Sequence, residues 1–178
     1  MDRLAEGDPA PDFALPTDDG GEAAPAAHRG RALVLYFYPK DDTSGCTRQA
    51  QEFDARADAF RDAGCAVLGV SPDTIGSHTK FKAKHGLSLR LAADADKRVL
   101  DAYGVWVEKS MYGRKYMGVE RSTFLIGPDG RIARAWRKVK VPGHAEDVLA
   151  VAQTLADRAF ARDANGGAEN ASAFDTCA

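Results

Sequence analysis

Seven consecutive residues, Ala32-Leu33-Val34-Leu35-Tyr36-Phe37-Tyr38, are apolar or aromatic with no charge among them. A strand with one wet face alternates apolar and polar side chains. An unbroken apolar run instead needs cover on both faces, as in a sheet with helices above and below it. Pro39 ends the run, since it has no N–H to give to a ladder. The period then changes. From Cys46 onward Ala50, Phe53, Ala57 and Phe60 recur at helical spacing, and Gly64 stops them. A second buried strand, Ala66 to Val70, closes on Ser71-Pro72-Asp73, and Thr74 to His85 is predicted as a helix ending at Gly86. Alternation of this kind predicts an α/β domain.

Further along, Asp96 to Tyr103 reads as a short helix, and Ser122–Ile126 with Arg131–Trp136 as an antiparallel hairpin around Pro128-Asp129-Gly130. A last helix, Ala145 to Phe160, places Val148, Val151, Ala152, Leu155 and Ala159 on one face. Residues 1–162 are therefore expected to form one domain, and the Ala-, Gly-, Asn- and Ser-rich residues 163–178 a flexible C-terminal tail. With 178 residues, 44% of them hydrophobic, the chain can build one sizeable core. A net charge of −2 gives no reason to expect a nucleic-acid partner. The longest apolar run cannot span a bilayer, and the N-terminal residues lack the apolar core of a secretory signal. A cytoplasmic protein with no membrane partner is expected. Residues 1–30 hold seven acids and two bases, and residues 109–140 nine bases and two acids. Solvated faces are the plain reading of that asymmetry, and a docking face for an acidic partner the sharper one.

The three cysteines, Cys46, Cys65 and Cys177, are too few for a disulfide scaffold, and a reducing cytoplasm would keep them free. Cys46 falls between a buried strand and a helix. Unpaired N–H groups and the helix dipole favour a thiolate there. Thr43 or Ser44 is a candidate N-cap, and Gly45 allows close approach. Asp41 and Asp42 work against a nearby thiolate, so they should point away or pair, for instance with Lys40 or Arg48. Position alone leaves open whether Cys46 is reactive or merely starts a helix.

The spacing Pro39-x-x-x-Thr43-x-x-Cys46 resembles the signature of peroxiredoxins, and Phe37-Tyr38-Pro39-Lys40-Asp41-Asp42-Thr43-Ser44-Gly45-Cys46-Thr47 is similar to their peroxiredoxin Q, or bacterioferritin comigratory protein, branch. Gly7-Asp8-x-Ala10-Pro11-Asp12-Phe13, Gly104-Val105-Trp106 through Gly113, and Arg121-Ser122-Thr123-Phe124-Leu125-Ile126 match the same branch in order. The resemblance implies a thioredoxin-like fold, a central mixed β-sheet flanked by helices. It also implies reduction of hydrogen peroxide and organic hydroperoxides through a Cys46 sulfenic acid. Thr43 and Arg121 carry over as hydrogen-bond partners of sulfur and peroxide, and Pro39 as a shield against bulk water. A free thiol of pKa about 8.5 is about 3% thiolate at pH 7, so ionisation alone gains at most roughly 30-fold. Oriented donors must supply the rest, and an always-charged guanidinium suits that task. A thioredoxin-type dithiol enzyme would need Cys-x-x-Cys, which the sequence lacks. A non-enzymatic redox sensor or holdase on the same fold is the alternative from a different class.

Two positions depart from the relatives. The branch often carries a resolving cysteine five residues after the first, where this chain has Gln51, or in the next helix, around Lys80 to Lys84, where it also has none. Cys65 follows a helix of about eighteen residues, roughly 27 Å long, and reads as a buried small hydrophobe. Cys177 lies in a tail whose span is about 20 Å if flexible, making it the candidate resolving cysteine. The competing account is a one-cysteine cycle in which thioredoxin, glutaredoxin or a small thiol reduces Cys46 directly. No metal site is expected, because His28, His78, His85 and His144 lack ligand spacing; each reads as a surface or capping residue. No organic cofactor is expected, and the protein is taken as a monomer or weak dimer.

Overall fold

The computed structural model describes residues 3–174, with side chains as far as Arg162 apart from Phe160. The strand that the apolar run predicts is β3 (Ala32–Phe37), after a small ribbon of β1 (Leu15–Pro16) and β2 (Glu22–Ala23). All six of its residues are buried. It lies at the centre of a five-stranded sheet ordered β5-β4-β3-β8-β9, with β4 (Cys65–Ser71), β5 (Arg90–Ala93), β8 (Ser122–Ile126) and β9 (Ile132–Trp136). β4 runs parallel to β3 and β8 antiparallel, so Leu35 stands between Leu68 and Phe124. The sheet is mixed, as the resemblance implied.

Burial on both faces follows from the two-residue period of a strand. Val34 and Tyr36 point into one cluster with Ala50 and Phe53 of α1 (Ser44–Ala55), Phe60 of α2 (Ala57–Asp62) and Val148 of α5 (His144–Phe174). Leu33, Leu35 and Phe37 point into the other, with Leu100 of α4 (Arg98–Ala102), Tyr103 and Phe124. The Tyr36 ring stacks on Phe53 at 4.7 Å, and Phe37 meets Tyr103 at 5.2 Å. Gly69 makes this possible, since a Cβ there would lie 2.7 Å from the Tyr36 ring.

Several elements differ from the sequence expectation. The helix after Cys46 is two helices, because Arg56 leaves helical geometry at φ −106°, ψ 11°. β5 has four residues, too few to show a period. Strands β6 (Trp106–Met111) and β7 (Arg114–Val119) form a hairpin that largely projects into solvent. Its two-residue turn, Tyr112-Gly113, has positive φ at both positions, the geometry that suits a tight hairpin. Tyr112 is 97% exposed at that tip and packs on nothing. α5 runs past the expected end at Phe160 and continues to Phe174, so helical backbone occupies residues 163–174. Alanines at 164, 168, 171 and 173 favour helix and offset the glycine pair at 166 and 167. Among the described residues no helix is long and apolar enough to cross a membrane.

Two histidines expected to be surface or capping residues are buried, His78 of α3 (Ile75–His85) and His144 at the start of α5. His144 Nε2 lies 2.8 Å from Thr123 Oγ1, and its ring meets Phe53 and Trp136 edge-on. Burial pushes its pKa from 6.5 down to about 4. The unfolded chain therefore takes up a proton between those values that the folded protein refuses, and stability falls as pH is lowered across that window. Urea unfolding at pH 7 and at about pH 4.5 checks this. His144→Gln should lose less stability on acidification than the wild type.

Candidate active site

α1 begins where β3 has ended and the chain has turned through Pro39 to Thr43. Thr43 occupies the N-cap with extended backbone, and the first intrahelical bond runs from Thr47 N–H to Thr43 O at 2.9 Å. The N–H groups of Ser44, Gly45 and Cys46 thus have no acceptor within the helix. No side chain caps them, because the Thr43 hydroxyl donates to the Lys40 carbonyl instead, at 2.9 Å. Cys46 is the third residue of the helix, 2% exposed, and free.

Arg121 reaches this point from the opposite side of β3, through strand pairing. It immediately precedes β8, the antiparallel neighbour of β3, so Phe37 and Ser122 are register partners. Its backbone is held on both sides: Val139 N–H donates to Arg121 O at 3.0 Å, and Glu120 N–H to Val105 O at 2.8 Å. The guanidinium Nη2 donates to Cys46 Sγ at 3.2 Å. Nη1 donates to Gln49 Oε1 at 2.5 Å. A Cβ on Gly45 would stand 3.4 Å from Nη2, so the glycine leaves this approach open.

The structure brings Cys46 and Arg121 into contact. Thr43 lies at the cap with its hydroxyl on Lys40 rather than on sulfur, and Pro39 is half-buried at the bend after β3. Cys177 lies outside the described residues. Cys65 is buried, and burial pushes its thiol up to about 12, which keeps it protonated and inert. Asp41 and Asp42 do pair, though with α3 rather than with Lys40 or Arg48.

Sequence reasoning missed Gln49. It is 1% exposed, and its Nε2 is buried without a partner. Its three-residue spacing from Cys46 places both on one helix face, the one signal that could have found it. Tyr36 was read only as a strand residue. Its hydroxyl is also buried without a partner, and burial first, then the charge of Cys46, push its pKa well above the ordinary tyrosine range.

A guanidinium held against a buried thiol at a helix start, on a mixed sheet of this order, defines a thiol-based redox protein of thioredoxin-like architecture. The chain matches the AhpC/TSA family over residues 6–135. Peroxiredoxin Bcp of Xanthomonas campestris pv. campestris is 48% identical over 144 residues, covering 80% of this chain and 90% of its own length. The crystal structure of a cysteine-to-serine variant of Xylella fastidiosa PrxQ superposes with a TM-score of 0.82 at 40% identity, covering 86% of this chain and 98% of that one. The Xanthomonas campestris bacterioferritin comigratory protein, trapped in intermediate and ligand complexes that address its alkyl peroxide reduction, gives 0.78 at 45% identity, over 81% and 92%. The chain belongs to the AhpC/TSA family, in its peroxiredoxin Q or Bcp branch. It is a thiol-dependent peroxidase, and these relatives give no support to the sensor or holdase alternative.

Proposed function

We propose that Cys46 is the nucleophile of this peroxidase and that Arg121, Thr43 and Pro39 serve it. The observation that carries the reading is the 3.2 Å contact from Arg121 Nη2 to Cys46 Sγ at the first turn of α1. The Cys46 thiolate attacks one oxygen of a hydroperoxide. An S–O bond forms, the O–O bond breaks, and the departing oxygen takes a proton and leaves as water or an alcohol. Sulfur is left as sulfenic acid. Negative charge moves from sulfur toward the departing oxygen during this step. The first-turn N–H groups of Gly45 and Cys46 and the Arg121 guanidinium are the donors that meet it. The Thr43 hydroxyl keeps lone pairs free to accept the hydroperoxide proton, and Pro39 covers the sulfur from the loop side. Hydrogen peroxide and organic hydroperoxides are the substrates, in line with the alkyl peroxide reduction of the Xanthomonas relative.

Regeneration uses an external thiol: thioredoxin, glutaredoxin or a small thiol of a reducing cytoplasm. Its sulfur displaces hydroxide from the sulfenic acid, which leaves as water, and a second thiol then releases Cys46 from the mixed disulfide. The reading takes the protein as a monomer or weak dimer. Steady-state peroxide consumption with thioredoxin and its reductase, beside glutaredoxin with glutathione, should show turnover with at least one system. No turnover with any thiol would remove this part of the reading.

A second reading, a Cys46–Cys177 disulfide, is favoured by the absence of cysteine at position 51 and throughout α3. Non-reducing mass spectrometry after one equivalent of peroxide separates the two. The external-thiol cycle predicts Cys46 sulfenic acid, trapped by dimedone, with Cys177 still reduced.

A further inference from the structure

The loop from Pro39 to Thr43 sets where the first turn of α1 begins, and its two aspartates are both bound by α3. Asp41 is 6% exposed, and every polar atom of its side chain is used. Oδ1 accepts from Tyr38 OH at 2.6 Å, and Oδ2 accepts from Ser77 Oγ at 2.8 Å and lies 2.7 Å from His78 Nδ1. The Asp41 N–H donates to Asp73 Oδ2 at 2.8 Å. Asp42, in left-handed backbone at φ 61°, meets Lys84 Nζ and His85 Nε2, each at 2.7 Å. α3 therefore holds the loop at two points, one dry and one exposed.

The dry one is unusual in its histidine. His78 is fully buried, and both ring nitrogens face acceptors, Asp41 Oδ2 on one side and the Ala92 carbonyl, 2.9 Å from Nε2, on the other. A neutral imidazole carries one N–H and can satisfy only one of them; the imidazolium satisfies both. The charged and titratable groups around the ring are Asp41 from the loop, Asp73 from the turn before α3, and Tyr38 from the end of β3. None of these is cationic. Burial, the largest single influence, lowers the His78 pKa from 6.5, but the hydrogen bond and charge of Asp41, with the Ala92 carbonyl and the charge of Asp73, together outweigh it and hold it raised.

We propose that the buried Asp41–His78 pair is the latch that keeps the loop, and with it the first turn of α1, in the arrangement that presents Cys46 to peroxide. This rests on Cys46 being the attacking sulfur. His78 touches no reacting atom; it is a positioning residue acting through Asp41. The direction of its pH dependence follows from its charge. Both ring N–H bonds and the charge on the ring are in place below the ordinary histidine value of 6.5; as pH rises through the raised one the ring loses its charge and one of the two bonds, and the latch weakens. Because Cys46 is only 2% exposed in the first turn of α1, a reagent larger than a hydroperoxide needs that turn to open before it reaches the sulfur. Releasing the latch must therefore slow the peroxide step and speed attack by bulky reagents.

The test measures two rates on the same sulfur, in wild type and in His78→Gln. Stopped-flow oxidation by hydrogen peroxide is followed from pH 7 to about 9.5, together with alkylation by a bulky maleimide at pH 7. His78→Gln is expected to be oxidised on the order of 10- to 100-fold more slowly and alkylated faster, with the alkaline fall of the wild-type peroxide rate absent. General destabilisation does not remove a pH limb, and far-UV circular dichroism with a melting curve shows whether the variant is folded. If His78→Gln does not fold, Asp41→Asn, which keeps the shape and removes the charge, is measured in the same way. A wild-type peroxide rate with no alkaline fall overturns the proposal without any variant, as does a folded variant with wild-type rates. Cys46→Ser is run alongside. Peroxide consumption surviving in it would overturn the assignment of the nucleophile, whereas its loss beside a normal His78→Gln would overturn the latch alone.

Discussion

Cys46→Ser is expected to reduce peroxide consumption to the uncatalysed rate. A serine hydroxyl is not ionised near neutral pH, and the donors around position 46 cannot make it a competent nucleophile toward an O–O bond without a base beside it. Among the described residues no histidine or lysine hydrogen-bonds Cys46; its side-chain partner is Arg121, whose guanidinium donates and offers no lone pair to act as a base. The control is Cys65→Ser. Burial holds that thiol at about 12, so it takes no part at working pH, and the variant should turn over peroxide as the wild type does. A coupled assay with thioredoxin, its reductase and hydrogen peroxide measures both variants. Appreciable activity in Cys46→Ser would end the mechanism given above.

Arg121→Ala is expected to slow the peroxide step by a factor of about 10² or more. Two losses combine. Sulfur loses the donor at 3.2 Å that meets charge on the reacting atoms. Gln49, already buried with Nε2 unpartnered, also loses the donor to Oε1 and becomes a buried amide with nothing to bond. An orphaned buried polar group costs about 1–3 kcal/mol, so the melting temperature should fall as well. Arg121→Lys separates the two contributions. Lysine restores the charge but not the fork that reaches Cys46 and Gln49 together, so it should recover part of the rate. Stopped-flow oxidation of the three proteins, with a melting curve for each, reads both effects. A rate in Arg121→Ala within a few-fold of wild type would mean that the guanidinium serves the fold and not the reaction.

What the sequence disclosed followed the strength of its local signals. β3 was legible because an uninterrupted apolar run has few explanations, and Cys46 because strand, proline, loop and helix followed one another in order. The pairing of Arg121 with Cys46 was legible only through resemblance. The two are 75 residues apart, and only the antiparallel register of β3 with β8 brings them together. Gln49, flanked by Arg48 and Ala50, looks like any helix residue facing water; it is buried where the Arg121 guanidinium, distant in sequence, bonds it. His78 and His144 were read as surface or capping residues because histidine carries no hydrophobic pattern, yet both fill polar gaps in the interior. The β6–β7 hairpin stayed hidden because neither of its faces is consistently apolar, which leaves no alternation to read.

β3 divides its six side chains equally between two packed clusters, Ala32, Val34 and Tyr36 in one and Leu33, Leu35 and Phe37 in the other. Neither half of the interior can melt while the other stays, because each would take the same strand with it. Unfolding of the body should then be a single cooperative transition. The segment just past the end of that strand, from Pro39 to Thr43, is fixed by side-chain hydrogen bonds to α3 and contributes no side chain to either cluster except through its flanks. Its opening has a free energy of its own, well below that of the whole molecule. Amide exchange should find two regimes on either side of Pro39: protons in β3 that wait for global unfolding, and protons in the next few residues that exchange through a local fluctuation while the body stays intact.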